Sequence, residues 1–581
     1  MRRYDFGYFE EDKLTGAGDT GIWQRIMQFT SGWWWFIVLA IGLSLLVTGA
    51  TLSLPALLKE GVDSYIMNEE IPLDQRLEGV TMLSGFFAFL AFLAFGAAFA
   101  QALILEWIGQ NIMHNIRCQL YSHLQKIGLD FYHKNPSGKL VTRLTNDISN
   151  LYEMFTSVIV TLFNDFMQLG GILIILFIIN TRLASLICLL LPLVFLNIVW
   201  FSRLSRYIFR EIRTELARIN GFLQESLSGI SLIQSLSREK DTYRRFLKRN
   251  QSYFSRSMKQ IKIFAVFMPS LEFFSTATTA LIIWYGGNRV LARQMTIGEL
   301  VAFLSYMRLF FRPMRELSQK YSIVQSALAS AERIFQLLDQ KATDQKGDLT
   351  PSTDLEGRIT FEKVTFGYNS GYPIIRDTSF TIYPGETVAI RGPTGIGKST
   401  IINLLEKFYE PDQGRIYLDD YDLVQLAPRW VRKQIGLVMQ DVFVLPASLK
   451  ENILLEVELD DRSLMEIIKM ARLSYLIDRL PQGWDTLIGE GGLELSAGQR
   501  QLLALARVLA RDPAILVLDE ATSNIDTPSE RLLEEAIKET MSERTSIIIA
   551  HRPTSLKQAD RILELRGGRI TEKTGIGFIE D

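Results

Sequence analysis

Six long apolar runs in the first 315 residues limit what this chain can fold into more than any other feature. They lie near residues 33–56, 80–104, 158–180, 183–201, 263–285 and 297–311. A helix needs roughly 20 consecutive apolar residues to cross the hydrocarbon core of a bilayer. The runs therefore predict six membrane-spanning helices.

The composition divides the chain into two halves of different character. Hydrophobic residues make up 48% of the 581 residues, with the excess in the first half, and the remainder is typical of a soluble α/β domain. The formal net charge of −2 argues against a protein that binds nucleic acid through a basic surface. The two cysteines indicate neither a disulfide framework nor a metal site, and the polar N-terminus shows no cleavable signal peptide.

The charges of the connecting segments predict the orientation in the membrane. Residues 60–78, between the first two runs, are acidic, whereas the segments after the second and fourth runs are long and basic. Because basic segments stay on the cytoplasmic side, we expect a multi-pass protein of the cytoplasmic membrane with both termini in the cytoplasm. Before the first run, Ile22–Phe29 predicts a short amphipathic helix on the membrane surface.

Each of the two basic segments has a helical pattern with one break. Phe131–Arg143 reads FYHKNPSGKLVTR, and Glu225–Glu239 reads ESLSGISLIQSLSRE. Each break is either a simple turn between two helices or a short helix that contacts another domain. The pattern around both breaks predicts that the membrane helices continue well below the bilayer.

Three charged residues, Asp165, Glu272 and Arg308, fall within the apolar runs. A charge at the bilayer centre costs about 2.5–3.5 kcal/mol, so these side chains should face the bundle or a wet cavity. Their positions along the third, fifth and sixth runs agree with one depth in the cytoplasmic half, which makes them candidates to line a substrate cavity. The alternatives are a structural ion pair or a position already below the bilayer.

A glycine-rich segment follows the apolar half. Gly392–Ser399 matches G-x-x-x-x-G-K-S and lies between the β-type run Glu386–Ile390 and the apolar helical run Ile401–Phe408, which predicts a phosphate-binding loop. Lys398 would reach the β- and γ-phosphates, and the Ser399 hydroxyl would bind Mg²⁺. The predicted ATP contacts of this segment are Gly392, Pro393, Thr394, Gly395, Ile396, Gly397, Lys398, Ser399 and Thr400.

Further residues fit a nucleoside triphosphatase. Ala514–Glu520 (AILVLDE) is an apolar strand that delivers two carboxylates, of which Asp519 would hold Mg²⁺ and Glu520 would polarise the attacking water. His551 follows a second apolar strand and is a candidate sensor of the γ-phosphate. Tyr368 ends a β-type run and is a candidate to stack on a purine base.

The segment LSAGQ runs into RQLLALARVLA and opens a helix whose N-terminus offers a second site for an anion. With this segment, the chain resembles an ABC transporter half of the exporter type, and the motifs from about residue 30 to 570 stand in that family's order. Walker A is at Gly392–Ser399 and Walker B at Ile515–Asp519. The signature motif, which acts on the ATP of a partner, is Leu495, Ser496, Ala497, Gly498 and Gln499.

The resemblance implies the fold class and the domains. The fold would be an α-helical six-span transmembrane domain with long cytoplasmic helix extensions, followed by an α/β P-loop ATPase domain of ABC type. A cytoplasmic segment with an elbow helix would span residues 1–32 and the transmembrane domain residues 33–315. A connecting helix and linker would occupy 316–357 and the nucleotide-binding domain 358–581.

The resemblance also implies further roles. Gln440 would be the Q-loop residue that contacts both Mg²⁺ and the membrane domain, Asp526 would belong to the D-loop, and His551 would be the switch histidine. The two breaks match the coupling helices of the family. A nucleotide would lie between the Walker A motif of one domain and the signature of another, so the chain would need a second half-transporter.

One departure from the family bears on that partner. Ala497 stands where the family usually has glycine, whereas Glu520 and His551 are retained. The YFEEDKL start, the SNID segment at residues 523–526 and the altered signature resemble the catalytically intact half of heterodimeric multidrug-type exporters, and they favour a heterodimer over a homodimer. The expected activity is ATP-driven export, or inner-to-outer flipping, of a small amphipathic or hydrophobic compound. A lipid flippase, or an ATP-gated channel or regulator without net transport, is the alternative.

Overall fold

The chain forms two compact units, one helical and one that contains every described strand. The first consists of Met1–Ile127 and Asn135–Lys341, and the second of Gly128–Lys134 and Ala342–Asp581. The structure is a computed structural model. It describes residues 19–340, 347–353, 355–369, 371–455, 457–519, 527–542, 544–549 and 558–573.

Helices account for nearly all of the described residues before the first strand. They are α1 (Asp19–Thr30), α2 (Trp34–Glu60), α3 (Leu73–Leu124), α4 (Leu129–Lys134), α5 (Ser137–Thr142), α6 (Ile148–Met154), α7 (Val160–Ile179), α8 (Thr181–Cys188), α9 (Leu191–Ser228), α10 (Ile230–Ser235), α11 (Glu239–Leu281), α12 (Gly287–Leu291) and α13 (Ile297–Leu338). Short π-helical turns at Arg143–Asp147, Phe155–Ile159 and Ile282–Gly286 keep the chain helical between neighbouring elements.

Five helical stretches among the described residues are long and apolar enough to cross a membrane. They are Gly21–Ile66, Leu73–Leu124, Ser137–Ile179, Thr181–Ser228 and Glu239–Leu291. These stretches contain the first five predicted runs, apart from the extended residue Asn180 at the end of the third, and confirm them as helices. The sixth run begins α13, which is not among the five because its first 18 residues carry Glu299, Arg308 and Arg312. Phe303, Tyr306 and Phe310 of α13 nevertheless lie in the buried core of the helical unit.

The predicted surface helix and both predicted breaks are helices in the structure. α1 contains Ile22–Phe29, and its Arg25 donates hydrogen bonds of 2.6 and 2.8 Å to the two carboxylate oxygens of Asp339, just after α13. At the first break, Asn135 and Pro136 separate α4 from α5, and at the second break α10 lies between α9 and α11. The breaks are therefore short helices rather than simple turns.

The second unit alternates strands and helices. Its elements are β1 (Ile359–Phe366), β2 (Ile375–Ile382), β3 (Thr387–Arg391), α14 (Lys398–Leu405), β4 (Gln413–Leu418), β5 (Tyr421–Asp422), α15 (Pro428–Gln434), β6 (Ile435–Val438), β7 (Ala447–Ser448), α16 (Leu449–Leu454), α17 (Asp461–Met470), α18 (Ser474–Ile477), β8 (Leu487–Ile488), α19 (Ala497–Arg511), β9 (Ile515–Asp519), α20 (Thr527–Met541), β10 (Thr545–Ile549), β11 (Arg561–Arg566) and β12 (Arg569–Lys573).

A six-stranded sheet forms the centre of this unit, in the order β12-β11-β3-β10-β9-β6. The five strands from β11 to β6 are parallel, and β12 pairs antiparallel with β11. A second, antiparallel sheet has the order β2-β1-β4-β5. Parallel strands need crossover helices and are buried on both faces, which explains the uninterrupted apolar runs of β9 and β10.

The two faces of the six-stranded sheet belong to two different hydrophobic cores. In β9, Ile515 and Val517 lie in one core, and Leu516 and Leu518 lie in the other. Successive side chains of a strand point to opposite faces, so the two cores flank the sheet. The first core contains the apolar side chains of α14, and the second contains those of α19 and α20.

Candidate nucleotide-binding site

Three neighbouring parallel strands end at one edge of the six-stranded sheet. Ile549 of β10 pairs with Ile390 of β3 on one side and with Asp519 of β9 on the other. Since neighbouring strands are about 4.8 Å apart, Asp519 and Ile390 are roughly 10 Å apart. The predicted phosphate loop and Asp519 therefore share the carboxyl edge, which is where open α/β sheets bind ligands.

The loop after β3 has a backbone that requires glycine. Gly397, directly before α14, has a φ of +115°, and a Cβ atom on it would lie 2.6 Å from Cγ2 of Ile374. At the start of the motif, a Cβ atom on Gly392 would lie 2.7 Å from the carbonyl oxygen of Leu565. The loop leads straight into α14, and the first backbone N–H groups of a helix have no intrahelical acceptor and attract anions.

Lys398 and Ser399 begin α14, as expected for a phosphate loop. Lys398 is buried, and its ammonium group donates hydrogen bonds to the carbonyl oxygens of Gly392 (2.7 Å) and Pro393 (3.1 Å). The Ser399 side chain is exposed, and Thr400 is buried. The ammonium group is thus held against the loop that is expected to bind the phosphates of the nucleotide.

Tyr368 follows β1 and packs against other aromatic side chains. Its hydroxyl group forms hydrogen bonds with two side chains of α14. It accepts a hydrogen bond from Nδ2 of Asn403 (3.0 Å) and donates one to Oγ1 of Thr400 (3.3 Å). Its ring meets the ring of Tyr409 edge-on, with centroids 5.1 Å apart. Burial raises the pKa of Tyr409 to about 12, assisted by Tyr368 and Asp130, so this phenol stays neutral. The contacts attach the proposed base-stacking residue to the helix that follows the phosphate loop.

The signature segment forms the predicted helix start. Ser496 caps α19: its Oγ accepts from the backbone N–H of Gln499 (3.3 Å), and Oε1 of Gln499 accepts from the backbone N–H of Ser496 (2.9 Å). This reciprocal capping box satisfies donors of the first turn and sets the direction of the helix. Leu495 and Gly498 are buried, so Ser496 is the exposed residue between them.

Gln440 is exposed in the loop after β6, and Asp519 is the last residue of β9. No group of three or more His, Cys, Asp or Glu side chains that is suited to a metal ion exists among the described residues. Mg²⁺ is usually held by one or two carboxylates together with phosphate oxygens and water. Ser399, Gln440 and Asp519 supply oxygen donors of this kind and fit a metal ion that arrives with the nucleotide.

Three predicted residues lie outside the described residues: Glu520, Asp526 and His551. Glu520 directly follows Asp519 along the chain, and Ile549 ends β10 two positions before His551. Their roles stay predictions.

The structure does not bring the three charged residues of the predicted spans into one described cluster. Asp165 is buried and accepts a hydrogen bond of 2.5 Å from Nζ of Lys320 in α13. Glu316 approaches the same ammonium group at 3.4 Å, whereas Glu272 and Arg308 are exposed. Asp165 is thus part of an ion pair, which was the alternative interpretation, and the substrate cavity stays a prediction.

Sequence reasoning missed several residues around these sites. Lys320 was not singled out, and neither were Asn403, Gln501 and Arg507, which hold loops of the ATPase unit in place. A signal exists for Gln501 and Arg507, because they are polar residues within the otherwise apolar run of α19. Lys320 is 155 positions from Asp165, and no local pattern indicates that pair.

A parallel sheet with a glycine-rich phosphate loop, joined to a unit of long apolar helices, defines a membrane protein with a P-loop ATPase domain. The sequence profile of the ABC transporter transmembrane region matches residues 37–314, and the profile described as ABC transporter matches residues 375–523. The chain therefore belongs to the ABC transporter family.

Relatives that match most of the chain indicate which type of ABC transporter it is. The chain is 33% identical over 550 residues to a protein of Streptococcus pneumoniae provisionally named ABC transporter ATP-binding protein exp8, with 94% of this chain and 93% of the relative covered. It is 32% identical over 554 residues to a Staphylococcus aureus protein provisionally named multidrug export ATP-binding/permease protein, with 94% and 96% covered. It is also 34% identical over 479 residues to the uncharacterized ABC transporter ATP-binding protein YknV of Bacillus subtilis, with 82% and 79% covered.

These matches identify an exporter-type half transporter whose ATPase activity is coupled to transport across a membrane. They confirm the predicted family, the fold class and the ATPase assignment.

Proposed function

We propose that this chain is one half of a dimeric exporter that moves a small amphipathic or hydrophobic compound outward across the cytoplasmic membrane. The name of the Staphylococcus aureus relative supports a multidrug type of cargo. The basic segments from α9 to α11 support a cytoplasmic position for the long helix ends. In this orientation both termini and the ATPase domain lie in the cytoplasm.

The proposal of a dimer depends on where the phosphate loop and the signature segment lie relative to the sheet. The phosphate loop leads into α14 on one face, and the signature segment leads into α19 on the opposite face. The helix that follows the phosphate loop and the signature helix of the same chain are therefore on opposite sides of the sheet, which supports an ATP site completed by the signature of another chain. The chain has one copy of each motif, so a complete site needs the signature of a second subunit.

In this proposal, each of several residues of this chain has a separate role at one ATP site. Lys398 binds the β- and γ-phosphates, and Ser399, Gln440 and Asp519 hold Mg²⁺ through oxygen atoms. When bound, Mg²⁺ neutralises charge on the phosphates. Glu520 accepts the proton of the attacking water, and His551 contacts the γ-phosphate.

Two short helices are suited to carry motion between the ATPase and the membrane helices. In α10, Leu232 is 62% exposed, and Ile230 beside it is 44% exposed. Apolar side chains at the tip of a long cytoplasmic hairpin favour docking to a protein surface. We assign α4 and α10 as the coupling helices, through which closing and opening of two ATPase domains alternates the access of the substrate cavity.

The exporter assignment is tested in reconstituted vesicles with two labelled cargoes, a fluorescent amphipathic cation and a fluorescent phospholipid. We expect ATP-dependent movement of the cation by the wild-type chain together with the partner that co-purifies with it. Glu520→Gln should retain ATP binding but lower hydrolysis and transport about a hundredfold or more, as expected for the loss of a catalytic group. Lys398→Ala is the matched control that should lose ATP binding as well.

Three outcomes contradict parts of the proposal. Movement of the phospholipid alone would make the protein a lipid flippase. ATP hydrolysis without movement of either cargo would make it an ATP-gated channel or a regulator. Hydrolysis by Glu520→Gln at the wild-type rate would show that another group accepts the proton.

A further inference from the structure

The loop that carries Gln440 is held by side chains rather than by a backbone ladder. Met439–Pro446 connects β6 to β7 and contains neither helix nor strand. Nε2 of Gln501 in α19 donates hydrogen bonds to the carbonyl oxygens of Met439 (3.1 Å) and Gln440 (2.8 Å). Two consecutive carbonyl groups of the loop are therefore attached to the signature helix by one amide.

A second attachment lies farther along the same helix. Nη1 of Arg507 donates to the carbonyl oxygen of Phe443 (2.6 Å), and its Nη2 donates to Oδ1 of Asn452 (2.7 Å). Asn452 in α16 is fully buried, and it bonds both the N–H (2.9 Å) and the carbonyl oxygen (3.0 Å) of Leu445. Within the part of the chain that the structure describes, these contacts fix the loop at three places along its length, two of them on α19.

The side chain of Gln501, which donates the first two of these hydrogen bonds, is protected from water. Gln501 is 5% exposed, although Met439 and Gln440, whose carbonyl groups it contacts, have exposed side chains. Hydrogen bonds shielded from solvent are electrostatically stronger than those on the surface. Gln501 is therefore a buried anchor for an otherwise exposed loop.

The same helix presents the signature to the other ATP site. Ser496 caps α19, and Gln501 follows five positions later, which is about 7.5 Å along a helix axis. Gln440 serves the ATP bound by its own chain, whereas the exposed end of α19 serves the ATP bound by the partner. Through the hydrogen bonds of Gln501, a displacement of the Gln440 loop is mechanically linked to a displacement of α19.

We propose that Gln501 and Arg507 are positioning residues that make the Gln440 loop and the signature helix move as one body. They thereby link the two ATP sites of the dimer within each chain. The inference rests on the proposed dimer with shared sites. It assigns to these residues neither contact with ATP nor a part in proton transfer.

The main test is Gln501→Met in the full chain, purified with the partner subunit that it requires. Methionine keeps the length and the apolar packing but removes both donors to the loop. Among the described residues Oε1 of Gln501 accepts no hydrogen bond, so its loss leaves no new unsatisfied donor. The two loop carbonyl groups can bind water instead, and we expect the variant to fold.

For Gln501→Met, ATP binding measured in EDTA should stay within about twofold of wild type. The apparent affinity for Mg²⁺ should fall about tenfold, since two hydrogen bonds that order the loop are lost. The Hill coefficient for MgATP in steady-state hydrolysis should fall from above 1 to about 1. Arg507→Lys retains the charge and should give a smaller change in the same direction, and Arg511→Gln, exposed on the same helix, should match wild type.

Three results would overturn the inference. The first is a Gln501→Met variant in which the melting temperature and the turnover number fall together while the Mg²⁺ affinity and the Hill coefficient stay at wild-type values, because that pattern describes a purely structural residue. A dimeric wild-type protein with a Hill coefficient of 1 would contradict the link but not the proposed function. A wild-type chain that hydrolyses ATP as a monomer, measured by its molecular mass in detergent, would contradict both.

Discussion

Glycine at position 397 combines two separate constraints. Its φ of +115° is costly for any other residue, and a Cβ atom would lie 2.6 Å from Ile374. Backbone strain of this kind costs about 1–3 kcal/mol per residue. The phosphate loop therefore has little tolerance for a side chain at this position.

We expect Gly397→Ala to lower the affinity for ATP about tenfold or more, because the strained loop must shift away from the phosphates. Titration with a fluorescent ATP analogue measures this. Gly385→Ala is the control, since Gly385 also has a positive φ (+73°) but nothing lies within 4 Å of its Cβ position. Equal affinities for the two variants would show that the contact with Ile374 is unimportant.

Glu406, directly after α14, is a buried acid in the ATPase unit. Burial raises the pKa of Glu406 from 4.5 to about 7, against the opposing effect of Arg432. The folded state thus binds this proton more tightly than the unfolded state. Its contribution to stability is fully present below pH 4.5 and is lost as the pH rises to about 7.

Glu406→Gln should therefore stabilise the protein at pH 8 by on the order of 3 kcal/mol and have little effect at pH 4.5. Thermal unfolding of the full chain across this pH range measures the difference. Glu410→Gln, on the exposed surface nearby, should unfold like wild type at every pH. A stabilisation that does not depend on pH would contradict the argument.

Among elements, α7 and α13 are joined by a buried ion pair. The side chains of Asp165 and Lys320 are 10% and 11% exposed, and their charged atoms are 2.5 Å apart. Removing one member of a buried pair leaves the other charge without compensation, whereas replacing both by apolar residues is often tolerated. The pair therefore makes the packing of these two helices depend on both residues at once.

Asp165→Asn should destabilise the protein by about 3–5 kcal/mol, and Asp165→Leu combined with Lys320→Met should recover most of this loss. Thermal unfolding in lipid nanodiscs compares the variants. Glu272→Gln, which is exposed, should unfold like wild type. If Asp165→Asn unfolds normally but abolishes transport, Asp165 belongs to the substrate cavity instead.

At the scale of the whole molecule, the proposed dimer makes the two motifs of one chain serve different ATP molecules. In a heterodimer with one weak site, the intact Walker side of this chain forms the active site with the partner's signature. The Ala497 signature of this chain then serves the weak site. A homodimer has no such asymmetry, since both of its sites use both motifs.

We therefore expect Lys398→Ala to lower ATP hydrolysis about a hundredfold or more, and Ser496→Arg to lower it only a few-fold. Steady-state hydrolysis by the purified dimer distinguishes the two variants. Full activity of the chain purified alone, together with equally severe losses in both variants, would establish a homodimer.

Local features made much of this protein predictable from its sequence. Apolar runs predicted the helices, and Gly392–Ser399 predicted the loop, since both depend on neighbouring residues and on solvent. The count of five apolar stretches instead of six follows from three charges at the start of α13. The partners of Asp165 and Tyr368 were not predictable, because side chains on different elements meet only after those elements have packed.

By itself, the sequence determined which segments are helices, where the phosphate loop and signature helix begin, and which family the chain resembles. These properties arise from backbone conformation, capping and the burial of contiguous residues. Only the tertiary structure decided that α14 and α19 lie on opposite faces of one sheet and that Gln501 holds the loop of Gln440. Those contacts depend on the order of the strands, which no local stretch of residues encodes.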